Sequence, residues 1–277
     1  MTPPPGYPAL DAVAEMVERD LTGDTPARLF VLGLCGAQGS GKSTLAGALR
    51  DRMERRGVAS AILSIDDLYL RRTEREELAR AVHPLLRTRG APGTHDVALG
   101  LAVIAGLERG EAVALPRFDK AVDDRAEESA WPLAGAGTRL LILEGWCVGA
   151  RPQAEAALAE PVNALERDED ADGVWRRFVN EALAGLYQHL FARADRLVLL
   201  AAPGFEVVRR WRAQQEAQLR ARAGSHGAGV MTDAGIARFI QYYERLTRHI
   251  LIEMPGRADL TIDLGSDRAV LAVHSRR

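Results

Sequence analysis

Eight consecutive residues, Gly36-Ala37-Gln38-Gly39-Ser40-Gly41-Lys42-Ser43, fit the pattern G-x-x-x-x-G-K-[ST]. A run of this kind can grip phosphate. Its glycines let the backbone wrap closely around an anion with the N–H groups turned inward. Lys42 can reach the β- and γ-phosphates of a nucleotide, and the Ser43 hydroxyl can sit on Mg2+. An apolar run, Leu29 to Leu34, precedes the motif. A helical pattern from about Lys42 to Arg56 follows it, so a helix N-terminus also points at the anion. The motif alone does not separate a kinase from an ATPase or a nucleotide switch.

Two acidic segments narrow that choice. Leu63-Ser64-Ile65-Asp66-Asp67-Leu68-Tyr69 puts two carboxylates just past a strand-like run. At the carboxyl end of a strand in an open α/β sheet they face the ligand crevice. A carboxylate there can accept the proton of a substrate hydroxyl and touch the Mg2+ shell, while its neighbour caps a helix. Which of Asp66 and Asp67 does which stays open. Leu140-Leu141-Ile142-Leu143-Glu144-Gly145-Trp146 has the form of a Walker B strand, with Glu144 placed to hold Mg2+ directly or through water. The chain contains no N-K-x-D guanine-reading motif and no L-S-G-G-Q stretch, which disfavours a GTPase switch and a transporter-type ATPase.

Of the 36 basic residues only Lys42 and Lys120 are lysine. In a chain so biased to arginine, a retained lysine marks a place where a wide planar fork does not fit and a compact point charge does. Lys42 lies in the phosphate motif. Lys120 lies in Leu115-Pro116-Arg117-Phe118-Asp119-Lys120, just after a short strand. Arg117 there could fork onto a carboxylate, and Lys120 could bridge a substrate and the γ-phosphate. Arg89, His95 and Asp96 flank a turn rich in Gly and Pro, His83 to Asp96, that suits a small anionic or polyhydroxylated substrate.

These groups need a scaffold that gathers strand ends. Continuously apolar runs at 29–34, 59–65, 140–143 and 197–201, with Leu260 to Leu264 as the last strand, alternate with helical patterns at 8–21, 42–56, 97–107, 174–192, 206–222 and 233–254. Ala112 to Pro116 reads as a further short strand. This alternation predicts a mainly parallel sheet covered by helices on both faces, a three-layer α/β/α arrangement. Arg117 to Gly137 and the Gly-rich Ala223 to Val230 read as long excursions from that core. One domain over residues 1–277 is expected, with an N-terminal helix at about 8–22, substrate-side loops at about 66–96 and 117–137, and a lid region at about 205–232.

The segments "GAQGSGKST", "SIDDLY", "RGAPGTHD", "LPRFDKAVDDR", "LEGW" and "VMTD…FIQYYERL" occur in order from about Phe30 to Leu264. Together they resemble the D-glycerate 3-kinase family, part of the uridine kinase and phosphoribulokinase group of P-loop kinases. "RGAPGTHD" and "PRFDK" are the specific pieces. The resemblance implies a P-loop NTPase fold with helical lid and substrate insertions, and ATP-dependent phosphorylation of D-glycerate to 3-phosphoglycerate. It implies Asp66 as the base, with Lys42 and Glu144 as its catalytic companions and Ser43, Asp66 and Glu144 at Mg2+. It puts Gly36, Ala37, Gln38, Gly39, Ser40, Gly41, Lys42, Ser43 and Thr44 on ATP. A lid arginine should close over the phosphates; of Arg209, Arg210 and Arg212 we favour Arg212. Asp67, Tyr69, Arg89, His95, Arg117 and Lys120 fall on the acceptor side. After "PRFDK" the stretch Ala121-Val122-Asp123-Asp124-Arg125 departs from the longer, Gly-containing loop of eukaryotic members. The alternatives are a nucleoside, pantothenate or sugar-phosphate kinase of the same group, or an ATP-binding regulatory module without turnover.

Composition agrees with a globular protein acting on small molecules. The chain has 277 residues, 47% of them hydrophobic and 27% charged, with a net charge of -2. No basic footprint for nucleic acid stands out, and no apolar run reaches the roughly 18 residues of a membrane span. No secretory signal is read at the start, so a cytosolic location is expected, with Cys35 and Cys147 as reduced buried thiols. Oligomeric state is left open. Trp146, Trp175 and Trp211 could stack a base but are expected to pack. His83 and His189 are expected to be structural or exposed, and Glu166 to Asp170 to form a solvated loop.

Overall fold

Apolar strands that alternate their side chains between two faces must be covered on both, and the computed structural model shows how. It describes residues 7–22, 28–223 and 232–276. In chain order its first half runs α1 (Pro8–Leu21), β1 (Phe30–Gly36), α2 (Lys42–Arg55), β2 (Ser60–Ser64), α3 (Arg72–Ala81) and α4 (Val97–Glu108). Four two-residue strands follow, β3 (Val113–Ala114), β4 (Phe118–Asp119), β5 (Asp124–Arg125) and β6 (Leu133–Ala134). Then come β7 (Leu140–Gly145), α5 (Ala164–Glu169), α6 (Val174–Ala184), α7 (Leu186–Phe191), β8 (Arg196–Ala201), α8 (Phe205–Ala223), α9 (Asp233–Glu253), β9 (Leu260–Leu264) and β10 (Val270–Ser275).

The central sheet has the order β10-β9-β8-β1-β7-β2. All of its pairings are parallel except β9 with β10. β1 lies between β7 and β8, so the chain order reverses around it. The crevice at the carboxyl ends of β1 and β7 is therefore the place where an open α/β sheet takes a ligand. Along β7, Leu140 and Ile142 pack with α1 and α2, while Leu141 and Leu143 enter the opposite cluster with α4, α6, α7 and α9. All four are fully buried, each contributing about 1.5–3 kcal/mol.

Four expectations are corrected. The sheet does not end at β9: β10 adds an antiparallel edge strand, joined through a turn at residues 265–269. The helix expected from Val174 to Ala192 is broken at Gly185, where ψ of -124° leaves the helical region. The excursion from 117 to 137 is folded, with β4 paired to β5 and β3 to β6. The acidic run at 166–170 is not a solvated loop. Glu166 is buried in α5 and receives Arg245 Nε at 2.8 Å and Nη2 at 2.6 Å, while Asp170 caps α6 and pairs with Arg176 at 3.0 Å. The Gly-rich stretch between α8 and α9 lies outside the described residues. Among the described residues, no helix is long and apolar enough to cross a membrane.

Candidate active site

The phosphate motif forms the turn from β1 into α2. Gly39 has φ of +79°, and a Cβ there would stand 2.6 Å from the Trp211 Cβ of α8, so only glycine fits under that helix. Arg268, at the β9–β10 turn, donates through Nε to the Gly39 carbonyl at 2.5 Å and lies 5.2 Å over the Trp211 ring. The sheet edge, α8 and the phosphate loop are thereby tied together. Lys42, Ser43 and Thr44 occupy the first turn of α2.

Adjacent parallel strands bring the Walker-type pair together. Ser43 Oγ donates to Glu144 Oε1 at 2.9 Å. Glu144 is 4% exposed, and its Oε2 has no hydrogen-bond partner among the described residues. A buried carboxylate oxygen left without a donor is costly unless a cation or water takes it. Hard oxygen donors of this kind suit Mg2+, which needs only one or two protein carboxylates alongside substrate phosphates. Ser43 and Glu144 therefore fit a magnesium ion.

Asp66 is the second residue of a 3-10 turn, Ile65–Leu68, directly after β2. Tyr69 donates its hydroxyl to Asp66 Oδ1 at 2.8 Å, and Lys120 Nζ donates to Oδ2 at 2.6 Å. Burial alone would raise the Asp66 carboxyl. The charges of Lys120 and Lys42 and the two hydrogen bonds outweigh it, holding the group below the usual carboxylate range. Each Asp66 oxygen thus has one protein donor, whereas Glu144 Oε2 has none among the described residues. The two lysines of the chain converge on this one carboxylate.

A single cavity is lined by Lys42, Asp66, Tyr69, Arg89, Lys120 and Arg212, with Gln38, Trp146, Phe239 and Tyr243 completing its wall. Four cationic residues face one lining carboxylate. Arg212 lies against the Phe239 ring at 5.2 Å, whereas Arg209 and Arg210 are exposed. Gly90 has φ of +131°, and a Cβ there would collide with the Tyr243 hydroxyl, which reaches the Arg89 carbonyl at 3.4 Å. Trp146 Nε1 donates to the Gly90 carbonyl at 3.0 Å. This tryptophan, Trp175 and Trp211 are all buried.

Three residues expected at the acceptor stand behind the cavity wall instead. Asp67 accepts from Phe118 N at 3.1 Å and from Arg117 Nη1 at 3.2 Å. The pair anchors β4 to the segment after β2, and burial raises the Asp67 carboxyl despite the Phe118 N–H. His95 is 5% exposed, because its backbone pairs with Tyr69 and turns the ring onto the rear of that residue, 4.7 Å between centroids. Its Nδ1 lies 2.6 Å from the Tyr187 hydroxyl, which accepts from Gly93 N. Burial pushes the imidazole down to about 4, so it is neutral near pH 7.

The excursion is further stapled by ion pairs that carried no local signal. Arg75, 1% exposed, donates to the carbonyls of Leu70, Arg87 and Asp123 and pairs with Asp123 Oδ2 at 3.0 Å. Arg89 pairs with Asp123 Oδ1, and Arg125 with Asp96 at 3.0 Å. Tyr243 and Phe239 were part of a recognisable segment but had no assigned role; their spacing of four on α9 was the available clue.

No family model matches the chain. It is 38% identical over 227 residues to an uncharacterized kinase, mug58, of Schizosaccharomyces pombe, covering 78% of this chain and 79% of that protein. It is 28% identical over 254 residues to a protein of Arabidopsis thaliana named D-glycerate 3-kinase, chloroplastic, covering 86% of this chain and 53% of that one. The solved structure of D-glycerate 3-kinase from Cryptococcus neoformans superposes with a TM-score of 0.78 at 24% identity, over 98% of this chain and 97% of that one. At that identity the likeness speaks to the fold, a mainly parallel sheet between helices.

Proposed function

Because the chain belongs to the D-glycerate 3-kinase family of P-loop kinases, we propose that it transfers the γ-phosphoryl group of ATP to a hydroxyl of a small hydroxy acid. The acceptor we assign is D-glycerate and the product 3-phosphoglycerate, formed within one kinase domain. The observation that carries this reading is the shared cavity of Lys42, Asp66 and Lys120, beside the Ser43–Glu144 pair. Its cationic lining favours an acceptor that carries its own negative charge over a neutral nucleoside.

The P-loop backbone and Lys42 orient the triphosphate. Mg2+, held by Ser43 and Glu144, would neutralise charge on the β- and γ-phosphates. Asp66, fixed by Tyr69, orients the acceptor hydroxyl. As the acceptor oxygen bonds to Pγ, the Pγ–O bond to the β-phosphate breaks, ADP keeps that electron pair and the hydroxyl proton passes to Asp66. Lys42 and Arg212 balance the charge spread over the γ-oxygens. We place the reaction in the cytoplasm, where the buried thiols of Cys35 and Cys147 stay reduced.

ADP release tests this, with D-glycerate, L-glycerate, pantothenate, uridine and ribulose 5-phosphate supplied separately. D-glycerate should drive turnover, and Asp66→Asn should lower kcat by about 100- to 10,000-fold with little change in ATP affinity. Turnover on uridine with none on D-glycerate would discard the acceptor assignment.

A further inference from the structure

Lys120 sits at the tip of the β4–β5 hairpin, and its position is controlled from both sides. Asp67 holds the hairpin at Arg117 and Phe118, and Arg75 and Arg89 hold it at Asp123. The Lys120 side chain itself is 57% exposed and donates to Asp66 Oδ2. An ammonium has three N–H donors, so two remain for an incoming group. Lys120 takes one lone pair of Oδ2, as Tyr69 takes one of Oδ1, and its charge makes that oxygen a poorer proton acceptor. While the ammonium stays on Oδ2, Asp66 is held back as a base.

An arginine here would fork onto both Asp66 oxygens and compete with Tyr69. A lysine takes one oxygen as a point charge and can leave it. An ion pair whose cation is more than half in solvent is weak and readily exchanged. That contrasts with the buried Arg245–Glu166 pair, which is built to stay closed. The chain is otherwise all arginine outside its phosphate loop, so the lysine at this one contact is specific to exchange.

Resting on the acceptor reading above, we propose that Lys120 is a latch on Asp66 that the acceptor's own carboxylate opens. The carboxylate draws the ammonium off Oδ2, and the freed oxygen receives the hydroxyl of the same molecule. The acid group is then required for turnover and not only for binding, which excludes neutral polyols whose hydroxyls would fit equally well. Lys120 in this role contacts the acceptor and sets the state of Asp66 in the same exchange.

The test compares D-glycerate with glycerol, its neutral counterpart, in the wild type and in Lys120→Met. The substitution should lower kcat on D-glycerate and raise it on glycerol, narrowing their ratio by at least about tenfold. Formate added to the wild type should activate glycerol phosphorylation, and should not do so in Lys120→Met. A rise in KM for D-glycerate at unchanged kcat, with no activation by formate, would reduce Lys120 to a plain carboxylate binder. An equal loss of kcat on both acceptors would make it a γ-phosphate contact. Either result overturns the latch.

A second readout separates the latch from the acceptor assignment. With two lysines, the 13C-lysine-labelled protein gives two side-chain signals, and Lys120→Met identifies one. D-glycerate and formate should move the Lys120 signal in the direction that Asp66→Asn moves it, and glycerol should not. A shift without phosphorylation of D-glycerate keeps the latch and removes the acceptor. Phosphorylation without a shift does the reverse. No shift with either acid overturns the latch whatever the acceptor is.

Discussion

The nucleotide side and the acceptor side of the cavity are built by different physics. The nucleotide side is a backbone cradle on a helix start, backed by a dry cluster that includes Leu32, Leu34, Leu45 and Leu49. Its parts are close in sequence or on neighbouring strands. The acceptor side is a set of loops fastened by charge. Asp67 holds Arg117 from 50 residues away, Asp66 holds Lys120 from 54, and Asp123 holds Arg89 from 34. A cradle for phosphate can be local, because every phosphate presents the same oxygens to the same N–H groups. A site for a particular acceptor needs several side chains placed independently, and ion pairs fix them at the cost of sensitivity to acid and substitution.

The largest expected effect lies on the nucleotide side. Lys42→Met should lower kcat by at least about a thousandfold, because it removes charge where charge develops in the transition state. Its unfolding free energy from urea denaturation should match the wild type within about 0.5 kcal/mol, as expected away from packing or caps. Normal activity, or a large loss of stability, would break the contrast between a chemical cradle and a structural backing.

Arg75→Met probes the acceptor side and should give the opposite pattern. It leaves the carbonyls of Leu70, Arg87 and Asp123 without their donor and frees Asp123. The cost to stability should be about 2–4 kcal/mol, since several buried acceptors lose their partner. Steady-state kinetics should show KM for the acceptor rising at least about tenfold, with KM for ATP nearly unchanged. Equal changes in both constants would mean that the two sides are not separately built.

The contrast also explains what was legible in the sequence. Gly36 to Ser43, the apolar strand of Leu140 to Leu143 and the helix of α2 are local patterns, and local patterns survive into the fold. Asp66 could be placed because it follows a strand. The convergence of Lys42 and Lys120 on it was hinted at by lysine scarcity. Asp67 and Arg117 were harder, since nothing near either residue says that each is the other's partner. Glu166 and Asp170 show the same difficulty. Their run has the composition of a solvated loop, and its buried fate is set by Arg245, 79 residues on, and by Arg176 in the next helix. β10 was missed although Ala269 to Val273 is a continuous apolar run; it lies near the end of the sequence, and its alternation of half-buried and exposed residues on an edge shows only in the fold.

The smallest effect concerns the wall behind Tyr69, and it turns on proton linkage. His95 is buried neutral, with its folded-state value pushed down to about 4 against 6.5 for a free imidazole. Between those two values the unfolded chain binds a proton that the folded chain does not, so stability must fall as pH falls through that window. For one such group the loss between pH 6.5 and pH 5 is about 1–2 kcal/mol. Urea unfolding across this range should show that slope in the wild type, and His95→Gln should flatten part of it. His249, which burial also pushes down, adds a slope of the same sign, Asp67, which burial raises, opposes it, and Asp66 titrates below the window. A slope unchanged in His95→Gln would show that this ring is not sealed behind the acceptor wall. The acceptor side would then be open to water at its back, and ion pairs alone would be holding it.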